Sequence, residues 1–106
     1  MIELEPTEFQ LTCESRVKTL LRDAGFDVVF TQIRAAEDVL YMITRIDTAA
    51  GQHLQIYIYE DDAGFFVDER WIICEHQDFK TSSELIDKFC ATLQPYLESS
   101  YEVPPG

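Results

Sequence analysis

Between Phe26 and Cys74 the chain runs in β-branched and aromatic residues, interrupted only by the short clusters AAE, TAAGQ and EDDAG. Parallel strands need a crossover of roughly a dozen residues, so connections this short force neighbouring strands to run antiparallel. Four strands are predicted, over 27–34, 38–47, 53–59 and 65–74, joined as an up-and-down meander. The third alternates most plainly, with Leu54, Ile56 and Ile58 on one face and Gln55, Tyr57 and Tyr59 on the other.

The flanks change period. In PTEFQLTCESRVKTLLRDAG the apolar residues Phe9, Cys13, Val17, Leu20, Leu21 and Ala24 fall on one helical face. Thr7 and Gln10 have capping-box spacing and Gly25 stands where a left-handed C-cap belongs, so a helix is predicted over 7–24. In TSSELIDKFCATLQPYL a second box, Thr81 and Glu84, precedes the stripe Leu85, Ile86, Phe89, Cys90 and Leu93. Pro95 lacks a helical donor and restricts Gln94, so this helix is expected to kink or stop there, with Tyr96 and Leu97 still in phase. The order is α-β-β-β-β-α. An α+β fold, a four-stranded antiparallel meander with two helices packed on one face, buries both stripes most simply. The 106 residues suit one domain over 1–98, with a polar, proline-ended tail over 99–106 expected to be flexible.

Charge narrows the function. Twenty acidic residues against 8 basic give −12, with a pI near 4.3. Such a surface repels phosphate backbones and anionic bilayers, so neither nucleic acid nor membrane is an expected partner. Cations, basic proteins or solubility remain. Cys13, Cys74 and Cys90 form no C-x-x-C pair and read as small buried residues in a reducing compartment. The opening MIELEPTEFQ lacks the basic and apolar regions of a secretion signal, and no run is long enough to span a bilayer, so a cytoplasmic location is expected.

The acids have a geometric consequence. In a meander the first and third connections share one rim, which brings Glu37 and Asp38 toward Glu60, Asp61 and Asp62. No basic residue other than His53 lies between Arg45 and Arg70. Two carboxylates about 6 Å apart repel by roughly 3 kcal/mol at an effective dielectric near 20, so a hard divalent cation would relieve the crowding. Asp68 and Glu69 are candidates to add ligands if the rim curls inward. The two turn tips would stand about 10 Å apart, which suits two separate sites as well as one shared ion. DDAGFFVDE has no EF-hand spacing, and Asp and Gly also simply form turns.

Other constellations are thinner. Cys74, Glu75 and His76 offer only an incomplete transition-metal set and are read instead as a buried Cys at a strand end beside an exposed His. Cys13 or Cys90 with His53 is a formal nucleophile pair, but both cysteines lie on core stripes, and no hydrolase, phosphate-loop or dinucleotide motif occurs, so no enzyme is expected. Tyr57 and Tyr59, with Phe65, Met42 or Tyr41 beside them, would leave an aromatic sheet face for a protein partner or a homodimer, unless Ile2, Leu4 or the tail covers it. Trp71 is expected in the core. The order overlaps the double-stranded-RNA-binding domain, but TSSELIDK lacks that domain's basic cluster.

On its size, its acidity and loop acids such as Asp38 and the EDD turn, the chain resembles the small acidic non-EF-hand calcium-binding proteins of heterocyst-forming cyanobacteria, the CcbP-like proteins. That resemblance implies a calcium (Ca2+) buffer or sensor with non-EF-hand sites; the rim geometry makes Glu37, Asp38, Glu60, Asp61, Asp62 and Asp68 the candidate ligands, and comparison with sensor sites sets an expected affinity between about 10⁻⁶ and 10⁻⁴ M. The run from YIYEDDAGFFVDERWII to TSSELIDKFCATL also resembles the C-terminal half of small acidic secretion-chaperone-like proteins such as YbjN. That likeness implies an acidic protein-interaction module: an adaptor, an inhibitor or a nucleic-acid mimic.

Overall fold

The first helix, α1, spans Glu8–Asp23 and begins as its capping box requires. The Gln10 amide N–H donates to Thr7 Oγ1 at 3.1 Å and the Thr7 N–H donates to Gln10 Oε1 at 2.8 Å. Gln10 then does more than cap. Fully buried, it donates from Nε2 to the Leu40 carbonyl at 2.8 Å, fastening the helix start to the sheet. Gly25, at φ 94°, ends the helix in the left-handed conformation that only glycine adopts without strain. This computed structural model describes residues 5–35, 39–48 and 51–98. Glu37, Asp38, Ile2, Leu4 and the 99–106 tail lie outside them.

The sheet has five strands rather than the four expected: β1 (Thr31–Ala35), β2 (Val39–Asp47), β3 (His53–Ile58), β4 (Ala63–Val67) and β5 (Arg70–Cys74). They pair antiparallel in chain order, which is the expected meander lengthened by one hairpin. The segment 65–74 breaks at Asp68 and Glu69, whose φ values of 49° and 66° are both left-handed, while Val67 pairs with Arg70. Two successive positive φ angles are what a two-residue hairpin of the I′ kind demands, and glycine or asparagine normally supplies them. Here Asp and Glu do so, and no composition signal marks the turn. At the other end of the meander, residues 27–30 precede the first strand rather than forming part of it.

The second helix, α2, covers Ser82–Glu98 and passes through Pro95 instead of stopping. Leu93 and Leu97, one turn apart and both buried, hold its last turn on the core, which offsets the single backbone donor that proline removes. Its N-terminus departs slightly from a capping box. Glu84 N–H donates to Thr81 Oγ1 at 3.1 Å, but the Glu84 carboxylate accepts from Lys80 N–H at 3.3 Å, one residue earlier than expected. The two helices are joined by an exposed Arg16–Asp87 ion pair at 2.8 Å.

Alternation assigns the faces. Met42, Ile46, Leu54, Ile56, Ile58, Ala63, Phe65 and Val67 point to one side, where they form a single core with Cys13, Val17 and Leu21 of α1 and Leu85, Ile86, Phe89, Leu93 and Leu97 of α2. Both helices thus cover the same face. Among the described residues, no helix is long and apolar enough to cross a membrane.

Candidate functional site

Two features stand out against this scaffold: an acidic rim and an aromatic face that no described helix covers. The rim is the β3–β4 turn, where Tyr59 N–H donates to the Asp62 carbonyl at 2.8 Å. Because Ala63 pairs with Cys74, the chain leaving β5 passes directly beside this turn. It delivers His76. Asp62 Oδ1 accepts from the His76 backbone N–H at 2.7 Å and meets its Nδ1 at 2.9 Å, while Asp61 Oδ2 lies 3.5 Å from the same nitrogen. The hydrogen bond to Asp62 holds the His76 pKa above its ordinary value, and the negative charges of Asp61, Asp62 and Glu75 push the same way.

The crowding of acids therefore has compensation within the chain. His76 supplies a counter-charge, and α1 begins at the same rim, with Thr7 Oγ1 donating to the Glu60 carbonyl at 3.0 Å, so its positive dipole end faces the turn. Asp61, Asp62 and His76 hold three potential ligand atoms within 4.8 Å of one another. Glu60 sits in the same turn but is not one of the three.

Of the other predicted ligands, Glu37 and Asp38 fall outside the described residues. Asp68 requires a correction. It belongs to the β4–β5 turn at the opposite end of the sheet, about 17 Å of strand away, where Gln52 Nε2 donates to its carboxylate at 2.9 Å. The length of β4 separates them, and Asp68 cannot share an ion with Asp61 and Asp62. Neither does His76 serve Cys74 as a co-ligand in the described structure: Cys74 is buried on the core side, and His76 turns to the aspartates. Only spatial adjacency identifies His76, since fourteen residues separate it from Asp62.

The thiols are poor nucleophiles. Burial pushes Cys13 up to about 12 and also raises Cys74 and Cys90, so all three stay protonated near neutral pH.

The second feature is the sheet face away from the helices. Tyr41, Tyr57, Tyr59, Phe66 and Trp71 form one contiguous group there. Tyr57 stacks on Tyr59 with centroids 6.0 Å apart, and Tyr41 lies 5.8 Å from Tyr59. Trp71 meets Tyr57 edge-on at 5.5 Å and Phe66 at 4.7 Å. None of these rings joins or packs against the core beneath the helices. Phe66, Trp71 and Ile73 are 40%, 37% and 37% exposed. Tyr41 takes its expected place, but Phe65 and Met42 lie on the covered face.

Trp71 is likewise not a core residue. Within one continuous strand Trp71 would share the side of Phe65; the intervening turn pairs it with Phe66 and sends it to the open side. Gly64 makes room for it: a Cβ on Gly64 would lie 2.7 Å from the far edge of the indole. Fold and site thus define a small acidic α+β protein with an open aromatic sheet face. No protein-family model, curated protein or solved structure matches the chain.

Proposed function

We propose that this chain is an acidic protein-interaction module that docks a basic, extended partner segment on the open face of its sheet. The observation that carries this reading is the group of five touching rings on the face opposite both helices. Large aromatic side chains supply contact area at little conformational cost and are enriched in protein interfaces. Charge selects the partner: a surface at −12 attracts a basic segment and repels a second copy of itself. A chaperone-like adaptor and an inhibitor of a basic protein would both use such a face.

Amide chemical-shift mapping tests it, with a short Lys/Arg-rich peptide as probe and an acidic peptide of equal length as control. The expected perturbations centre on Tyr41, Tyr57 and Phe66. Shifts confined to scattered carboxylates, with the sheet face silent, would overturn it.

A second reading, reversible calcium binding at the β3–β4 turn, is favoured by the convergence of Asp61, Asp62 and His76. Calcium takes oxygen ligands, so the ion would have to compete with His76 for Asp62. Added calcium should then raise the melting temperature and lower the His76 pKa, and Asp62→Asn should abolish both effects. An unchanged His76 titration at millimolar calcium rules this site out.

A further inference from the structure

One corner of the open face combines several aromatic walls with a carboxylate. Tyr59, Asp62, Phe66, Trp71 and Ile73 line a shallow cleft of about 570 Å³. Tyr59 and Trp71 both line it and stand nearly perpendicular, at 75°, with centroids 6.4 Å apart. The faces of such rings are electron-rich, and tryptophan attracts cations most strongly of the aromatic residues. Asp62 places a carboxylate at the cleft edge, shared with His76, whose backbone N–H and Nδ1 both contact its Oδ1. The indole is also positioned in advance, seated over the bare Cα of Gly64.

We propose that this cleft is a cation-binding subsite that receives a lysine or arginine side chain from the docked partner segment. The inference rests on the face-docking reading above and adds to it the anchor residue. Apolar side chains would gain contact area in the cleft but neither cation–π attraction nor pairing with Asp62, and neutral polar ones at most a hydrogen bond to that carboxylate. A basic side chain gains both. The rest of the ring group, with Tyr41 and Tyr57 farther along the sheet, then accommodates the neighbouring residues of the segment.

The test uses the full chain and a fluorescently labelled extended peptide carrying one central arginine, measured by anisotropy, against the same peptide with citrulline at that position. Citrulline keeps the shape of arginine and removes its charge. The expected result is an affinity loss of about tenfold for citrulline, with similar losses for Trp71→Ala and Asp62→Asn in the protein and a smaller loss for Trp71→Phe. Tyr41→Ala, outside the cleft, should reduce affinity without removing the arginine preference.

Far-ultraviolet circular dichroism verifies folding, and Gly64→Ala provides a second variant in which the tryptophan is kept but displaced. If both peptides bind the open face equally and Trp71→Ala and Asp62→Asn stay within about twofold of the parent, the cleft is not a cation subsite and the docking face stands. If neither peptide binds the face, both proposals fall. Binding that weakens with salt yet ignores every substitution marks diffuse charge attraction only, and overturns the subsite.

Discussion

Phe65 and Phe66 are neighbours in β4 with opposite fates. Phe65 is fully buried and meets Phe89 and Tyr96 of α2 at 5.9 and 5.4 Å, whereas Phe66 is 40% exposed among the rings of the open face. The two faces of this one sheet are built from different materials. Beneath the helices the strands present mostly Leu, Ile, Met and Val; on the open side they present tyrosines and the only tryptophan. A buried core gains from dense, wholly apolar side chains. A surface that must stay wet and still bind gains from rings with a polar tip, and the difference between the faces is what points to a docking function.

The largest expected effect tests that division directly. Phe65→Ala should cost about 3–5 kcal/mol in urea unfolding, while Phe66→Ala should cost about 1 kcal/mol or less. Equal costs would mean that the open face is structural core and would remove the basis for docking.

A smaller effect sharpens the point at which the faces are assigned. Glu69 holds a positive φ that a side chain disfavours, so Glu69→Gly should stabilise the protein by about 0.5–1 kcal/mol once the extra chain entropy of glycine is subtracted. Loss of stability would show that the turn is not of this kind, and that Trp71 has no reason to lie on the open face.

The smallest concerns the rim between the faces. The folded-state pKa of His76 is raised, so its contribution to stability is full below the unfolded value of about 6.5 and is lost as pH rises through the folded value. The melting temperature should therefore fall as pH rises above about 6.5, more steeply than in His76→Gln. Parallel profiles for the two proteins would detach His76 from Asp62.

Local rules explain why some of this architecture was legible in advance. Thr7, Gln10 and Gly25 mark the first helix because capping and left-handed termination depend on residues a few positions apart. The antiparallel meander follows from loops too short for crossovers, and the alternation of Leu54, Ile56 and Ile58 against Tyr57 and Tyr59 already separates the two faces of β3. The β4–β5 turn was hidden because Asp68 and Glu69 adopt a backbone conformation their chemistry does not advertise. Because of that turn, Asp68 sits between two strands rather than within one, and Trp71 pairs with Phe66 on the open face. The pairing of His76 with Asp62 was hidden for another reason, since it depends on which strand ends lie side by side.

Sequence alone therefore determined the elements: two capped amphipathic helices, a short-looped antiparallel sheet and a strongly negative surface. Periodicity, end signals and charge are properties of a few adjacent residues or of the total count, and need no knowledge of the fold. Only the tertiary structure decided which rings meet on the open face, and that His76 is a neighbour of the acidic turn. Both depend on strand register and on the hand of a single tight turn, and these are set when the sheet pairs as a whole.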